Sequence, residues 1–204
     1  YGYIAFKDFV EDPEANPLET PSGKLEIYSQ TLADTFSAMG WNTVTPIPTY
    51  VKVTNGYEDA SAPGAEYPPH YLRRAHSVFD NIGWLREAWA NPVFISTIDA
   101  ETAGVVDGDT VLISSPYGQC VRNACVYAGL MPGVVALPHG AWVAVDEETG
   151  IDTAGADNYL TGPAPNGQGV SGYNSALCKI EKYTGEALAP DADQPLRIVC
   201  KDGE

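Results

Sequence analysis

From Pro92 onward the chain repeats one pattern, a short apolar run followed by glycine, proline or acidic turn residues. Pro92-Val-Phe-Ile-Ser96 reads as a buried strand. Asp99 to Gly104 reads as a short helix that Gly104 closes. The turn Asp107-Gly108-Asp109 leads into Thr110-Val-Leu-Ile-Ser114, and Tyr117-Gly118 reverses the chain into Gln119 to Tyr127, which predicts a hairpin. Val134-Val-Ala-Leu137 and Ser175 to Ile180 add two more strands. With 20 glycines and 16 prolines scattered among such runs, a loop-rich β or α+β architecture is favoured over a helical bundle. Many short strands with little helix and long loops describe a small closed or nearly closed β-barrel, formed by the strands from Tyr71 to Ile180. Its loops are the place for function.

The first third of the chain reads differently. Leu25 and Ile27 alternate with polar residues inside Thr20 to Ser29, the pattern of a half-buried strand. Ser29 to Met39 follows as a short helix with Gly40 as its stop. Trp41 to Pro69 carries prolines at 46, 48, 63, 68 and 69, and reads as an extended connector with little regular structure. The expected division is therefore an irregular N-terminal extension at 1–69, a barrel at 70–183 and an acidic tail at 184–204. Leu196 to Val199 in that tail is a candidate edge strand.

Composition excludes several classes of function. Eleven Lys and Arg stand against 27 Asp and Glu, a net charge of −16, which disfavours nucleic acid and anionic membrane surfaces as partners. No apolar run approaches the roughly 18–20 residues of a membrane span. The four cysteines, Cys120, Cys125, Cys178 and Cys200, lack C-x-x-C spacing, and the histidines at 70, 76 and 139 have no metal-ligand spacing. Neither a metal site nor an iron–sulfur site is expected here. The chain begins Tyr1-Gly2-Tyr3, without an initiator Met or a signal-peptide pattern, so it is expected to be a piece of a longer protein.

Against this acidic background, Arg73-Arg-Ala-His-Ser77 is an anomaly of charge. Taken alone, adjacent arginines usually mark a solvated face. No G-x-S-x-G elbow, phosphate-binding glycine loop or H-E-x-x-H helix accompanies them. What does accompany them is a set of donor-bearing loops: Arg73 to Asn81, His139 to Trp142, Asp157 to Thr161, and Gly172 to Ser175. Each adjoins a strand, so all four are able to converge at one barrel mouth and bind phosphate, pterin amides or a purine edge.

These segments, in this order, resemble the C-terminal molybdopterin-dinucleotide-binding domain of the dimethyl sulfoxide reductase family of molybdenum enzymes. The resemblance is carried by Thr20-Pro-Ser-Gly-Lys-Leu-Glu-Ile-Tyr-Ser29, by Arg73-Arg-Ala-His-Ser-Val-Phe-Asp-Asn81 with Trp84-Leu-Arg-Glu87, and by Asp99 to Asp109. Met131-Pro-Gly-Val-Val-Ala136 leading to His139-Gly-Ala-Trp142, then Asp157-Asn-Tyr-Leu-Thr161 and Asn174, complete it. The pattern is nearest to anaerobic dimethyl sulfoxide reductase catalytic subunits. It implies a mainly β fold, a double-psi β-barrel with short helices and long loops, that caps a bis(molybdopterin guanine dinucleotide) molybdenum cofactor. Arg74, His76, Ser77 and Asn81 would then contact pterin or phosphate, and His139, Trp142, Asn158, Asn174 and Ser175 other parts of the dinucleotide. Arg73 is the exception, with solvent as its alternative.

The resemblance further implies a parent oxidoreductase that reduces an S- or N-oxide, with its iron–sulfur cysteines, metal ligand and export signal upstream. The expected partners are the upstream domains, an iron–sulfur electron-transfer subunit and a membrane anchor subunit, at the extracytoplasmic face of a bacterial cell envelope. The fragment alone has no catalytic residue and is expected to be inactive and to hold no cofactor. The alternative is a non-catalytic β-barrel ligand-binding or interaction module.

Overall fold

The computed structural model describes residues 2–40, 45–50, 64–67, 69–162 and 176–195. The chain divides into two compact units, Tyr1–Val51 and Lys52–Glu204.

In the first unit the local signals are enough to make helices. α1 spans Lys7–Glu11 and α2 spans Gln30–Met39. α2 starts where Ser29 Oγ accepts the Leu32 amide (3.3 Å), and it stops at Gly40, whose left-handed φ of 70° turns the chain out of the helix. The strand expected at Leu25 and Ile27 does not form. Thr20 Oγ1 donates to the Lys24 carbonyl (2.7 Å) and the Ser22 amide to Glu26 Oε1 (2.9 Å), so local side chains occupy groups that a ladder would need. Leu25 and Ile27 are each 77% exposed, and Phe36 is the only buried residue described in this unit.

The second unit is mainly β, a closed six-stranded barrel. Its strands are β1 (Gly64–Tyr67), β2 (Val93–Ile95), β3 (Thr110–Ser114), β4 (Gln119–Val126), β5 (Val134–Ala136) and β6 (Leu177–Lys182). They lie in the order β1-β5-β2-β4-β3-β6, and β6 returns to pair with β1. β1 lies within 41–69, the stretch read as having little regular structure, and places a barrel strand ahead of Tyr71, where the barrel was expected to begin. Short as it is, its backbone pairs in parallel with β5 from Ala65↔Val134 to Tyr67↔Ala136, and it closes the barrel. Prolines at both ends punctuate this strand rather than break it, because neither lies inside the ladder. The β3–β4 hairpin has the expected register, with Ser114 opposite Gln119.

Two further helices flank the barrel. α3 spans Gly83–Ala88 and α4 spans Thr97–Ala103, the latter capped by Ser96 Oγ on the Asp99 amide (3.0 Å) and ended by Gly104 at φ 64°. β3 alternates half-buried and buried residues, so Val111 and Ile113 point into the core with Val93, Ile95, Val135, Leu137, Leu160, Cys120 and Cys178. Each fully buried Val, Leu or Ile contributes roughly 1.5–3 kcal/mol by leaving water.

The pairings fix which loops share an end. β1 and β5 are parallel, β5 and β2 antiparallel, β2 and β4 parallel, and β3 is antiparallel to both β4 and β6. The C-terminal ends of β1, β3 and β5 therefore lie together with the N-terminal ends of β2, β4 and β6. That end is the mouth.

Candidate functional site at the barrel mouth

The loop that leaves β1 carries Arg73 to Asn81, and the loop that leaves β5 carries Pro138 to Trp142, so parallel pairing alone brings both to the mouth. The Arg-Arg-Ala-His-Ser segment is a tight turn here and not a strand. Ala75 and Val78 exchange backbone hydrogen bonds (3.2 and 3.0 Å), leaving His76 and Ser77 at the tip, and His76 has a left-handed φ of 52°. Gly140 packs against this turn. A Cβ on it would lie 2.0 Å from the His76 carbonyl oxygen, and its φ is 87°, so glycine is required on both counts.

Beneath the turn lies a buried network of charge. Arg74 donates through Nε to the His139 carbonyl (2.8 Å), through Nη1 to Asp80 Oδ1 (2.8 Å), and through Nη2 to Asn91 Oδ1 and the Pro138 carbonyl (both 2.7 Å). Burial pushes the Arg74 guanidinium pKa down, and Asp80 draws it back up. Arg73 does not face solvent. It is 1% exposed, pairs with Asp80 (2.8 Å) and Asp191, and is buried because two carboxylates offset its charge. Asp80 also accepts the Trp142 amide (2.9 Å), and Asp157 accepts the Gly140 amide (3.0 Å). These bonds hold the His139–Trp142 loop from two sides.

Above the network is a rim of partly or fully exposed aromatic and polar groups. The three imidazoles, distant in sequence, gather there with ring centroids 5.2 Å apart for His70 and His76, 4.3 Å for His70 and His139, and 5.0 Å for His76 and His139. Among the described residues no group of three His, Cys, Asp or Glu is arranged to hold a metal. Burial, then the neighbouring His70, lowers the His139 pKa below its ordinary 6.5, with Asp157 opposing. His139 Nε2 is buried without a hydrogen-bond partner. Trp142 donates its indole N–H to the Ser77 carbonyl (2.8 Å), which ties the two loops together across the rim. Asn81 is half-buried beside Asp80, and Asn158 is exposed on the single turn Asp157–Tyr159.

Six of the nine residues anticipated as contacts (His76, Ser77, Asn81, His139, Trp142 and Asn158) thus belong to mouth loops with outward-facing or half-buried positions. Arg74 lies under them as a strut. Asn174 and Ser175 lie outside the described residues, as do Cys200 and the edge strand anticipated at 196–199. Sequence reasoning missed Asp80, Asn91 and Asp191 as the acceptors that bury the arginines. An excess of arginine over nearby carboxylate was the only local hint. A cavity of about 550 Å³ lies against α4 and β6, with Ile95, Gly133 and Lys182 of the opposite end in its lining, and touches none of these loops.

The fold and the mouth together define a β-barrel that presents two donor-bearing loops, packed together at Gly140, over a buried guanidinium–carboxylate network, the equipment of a domain that grips a polar, anionic cofactor. Residues 67–176 match the family described as the molydopterin dinucleotide binding domain. The chain belongs to that family.

Its relatives include the dimethyl sulfoxide reductase DmsA of Escherichia coli strain K12, 39% identical over 190 residues that make up 88% of this chain and 23% of that protein. The dimethyl sulfoxide/trimethylamine N-oxide reductase of Rhodobacter capsulatus is 32% identical over 201 residues, 91% of this chain and 23% of the relative. The chain thus spans about a quarter of the length of these curated relatives. Among solved structures, the acetylene hydratase of Pelobacter acetylenicus superposes with a TM-score of 0.59 at 22% identity, covering 84% of this chain and 25% of that one, a likeness of fold.

Proposed function

We propose that this chain is the cofactor-binding domain of a larger molybdenum oxidoreductase that reduces an S- or N-oxide, and that the barrel mouth holds a molybdopterin guanine dinucleotide. The observation that carries the reading is the layered mouth, in which the arginines and carboxylates satisfy one another below while indole, imidazole and amide groups are presented above. That donor set fits the group: a dinucleotide bears pyrophosphate, pterin amides and a guanine edge, and the buried, unpartnered Nε2 of His139 is one polar atom that such a ligand would satisfy. When bound, the cofactor supplies two-electron redox chemistry at its metal, which no side chain here provides.

In this reading His76, Ser77, Asn81, His139, Trp142 and Asn158 line the site, joined by Asn174 and Ser175, which in sequence directly precede β6 and its start at the mouth. Arg74 acts from below by fixing the Pro138 and His139 carbonyls. Fixed donors reduce the ordering cost of gripping a long ligand. The barrel is of the double-psi kind, a reading supported by its two parallel pairs, β1 with β5 and β2 with β4, each made by strands distant in sequence. We assign the binding domain to 70–183, with β1 supplied by the extension and Asp191 by the 184–204 tail. Upstream domains, an iron–sulfur electron-transfer subunit and a membrane anchor subunit would complete the enzyme, at the extracytoplasmic face of a bacterial envelope. Among the described residues no helix is long and apolar enough to cross a membrane.

The test is acid extraction of the enzyme that contains this chain, followed by identification of the released material. Guanine nucleotide, pterin and molybdenum in fixed proportion are expected. Their absence would overturn the reading in favour of a non-catalytic ligand-binding or interaction barrel.

A further inference from the structure

Asp191 and Arg73 are 118 residues apart in sequence and form a buried ion pair. Asp191 belongs to the single turn Asp191–Asp193 in the acidic tail and is 7% exposed. It also lies 3.6 Å from Arg86 Nε, while Arg86 Nη1 donates to the carbonyls of Gln194 (3.0 Å) and Pro195 (3.2 Å). Two arginines therefore hold this stretch of tail, one by side chain alone and one by side chain and main chain.

From Arg73 the line of charge continues inward. Arg73 Nη2 donates to Asp80 Oδ1 (2.8 Å), which Arg74 Nη1 also reaches, and Asp80 Oδ2 accepts the Trp142 amide. Every side chain on the path from Asp191 to Asp80 is nearly or fully buried, so water screens it little. Three guanidiniums, Arg73, Arg74 and Arg86, share two carboxylates, Asp80 and Asp191. Without Asp191, Asp80 alone would face Arg73 and Arg74, and Arg86 would keep the Gln194 and Pro195 carbonyls. Arg73 would then either leave for water or draw the Asp80 carboxylate away from the Trp142 amide, and both routes loosen the loop that carries His139 and Trp142.

We propose that Asp191 is a positioning residue for the mouth, and that the C-terminal tail is a latch that sets the His139–Trp142 loop through Arg73 and Asp80. The inference rests on the reading above only in calling that loop part of the dinucleotide site; the coupling itself needs no ligand.

Residue-resolved hydrogen exchange on the full chain tests it. Asp191→Asn is expected to speed exchange of the Trp142 amide by about tenfold or more, with the β3–β4 ladder amides of Ile113 and Cys120 unchanged. Asp191→Glu, which keeps the charge, should restore most of the protection. Unchanged protection at Trp142, together with loss at Asp193, whose amide is bonded to the Pro190 carbonyl (2.8 Å), would reduce the tail to a cap and overturn the proposal. Should Asp191→Asn not fold, the unsubstituted chain decides the matter in low denaturant. One shared opening of the Asp193 and Trp142 amides supports the latch, and two separate openings refute it. In the enzyme that contains this chain, Asp191→Asn should also weaken dinucleotide retention. Coupled amides with unaltered retention would contradict the assignment of the loop to the ligand and leave the latch standing.

Discussion

In the unit Tyr1–Val51 the apolar side chains Leu25 and Ile27 are 77% exposed and, among the described residues, Phe36 alone is buried, whereas in the unit Lys52–Glu204 Val93, Val111, Ile113 and Leu137 are at 0% exposure. Both units contain apolar residues at regular spacing. They differ in what a neighbour in sequence is able to supply. A serine cap and a glycine stop make α2 without a core, because those bonds close within four residues. A strand has no such local solution: its backbone groups need a partner from elsewhere in the chain, and β1 finds two, β5 and β6. The same contrast separates charged groups. Lys7 and Glu11 meet at 3.6 Å on an exposed helix, a pair of little consequence, while Arg73, Arg74 and Asp80 meet where each depends on the others.

The sharpest way to break this comparison is Asp80→Asn. It removes the one carboxylate that bridges Arg73, Arg74 and the Trp142 amide, and should destabilise the barrel by about 3–5 kcal/mol in urea unfolding, the range for stranding buried charge. A loss below about 1 kcal/mol, the range of surface pairs, would place the network on the same footing as Lys7 and Glu11.

A middle-sized effect belongs to the rim. Because the His139 pKa in the fold is below its ordinary 6.5, the unfolded chain takes up its proton first as pH falls, and acidification favours unfolding. Stability from this group is intact above pH 6.5 and is lost as pH falls through that value toward the depressed one. Thermal unfolding followed between pH 7.5 and about pH 5 should therefore be less steep in His139→Gln than in the unsubstituted chain. An identical slope in the two proteins would mean that Asp157 cancels the burial of His139 and its neighbour His70.

The smallest expected effect is in the first unit. Leu25→Ser should change stability by no more than about 0.5 kcal/mol, since its side chain is already in water. A loss comparable to that of a buried leucine would show that Leu25 is covered in solution.

Much of the barrel was legible because its strands are short and punctuated. The β3–β4 hairpin, α4 with Gly104, and α2 with Gly40 follow from turn and capping residues that act locally. β1 was not legible, since prolines at 63, 68 and 69 describe a connector equally well until β5 and β6 are seen to pair with it. Leu25 and Ile27 failed in the opposite sense, as an alternation with no partner strand among the described residues and with side-chain bonds from Thr20 and Ser22 in its place. At the site, sequence order marked the loops, but the division of labour within Arg73 to Ser77 was invisible. The burial of both arginines depends on Asp80, Asn91 and Asp191, and two of those lie outside every segment that drew attention.

The central claim is that the rim binds a dinucleotide while the network beneath only holds the rim. The most direct test compares guanine nucleotide and molybdenum content with thermal stability in the enzyme containing this chain, for His76→Ala and Arg74→Ala. His76→Ala should weaken cofactor retention about tenfold, the size of one lost charge-assisted hydrogen bond, and leave the apoprotein melting temperature in place. Arg74→Ala should lower both. Full cofactor content in His76→Ala, or a loss of content that never exceeds the loss of stability in either variant, would contradict the account.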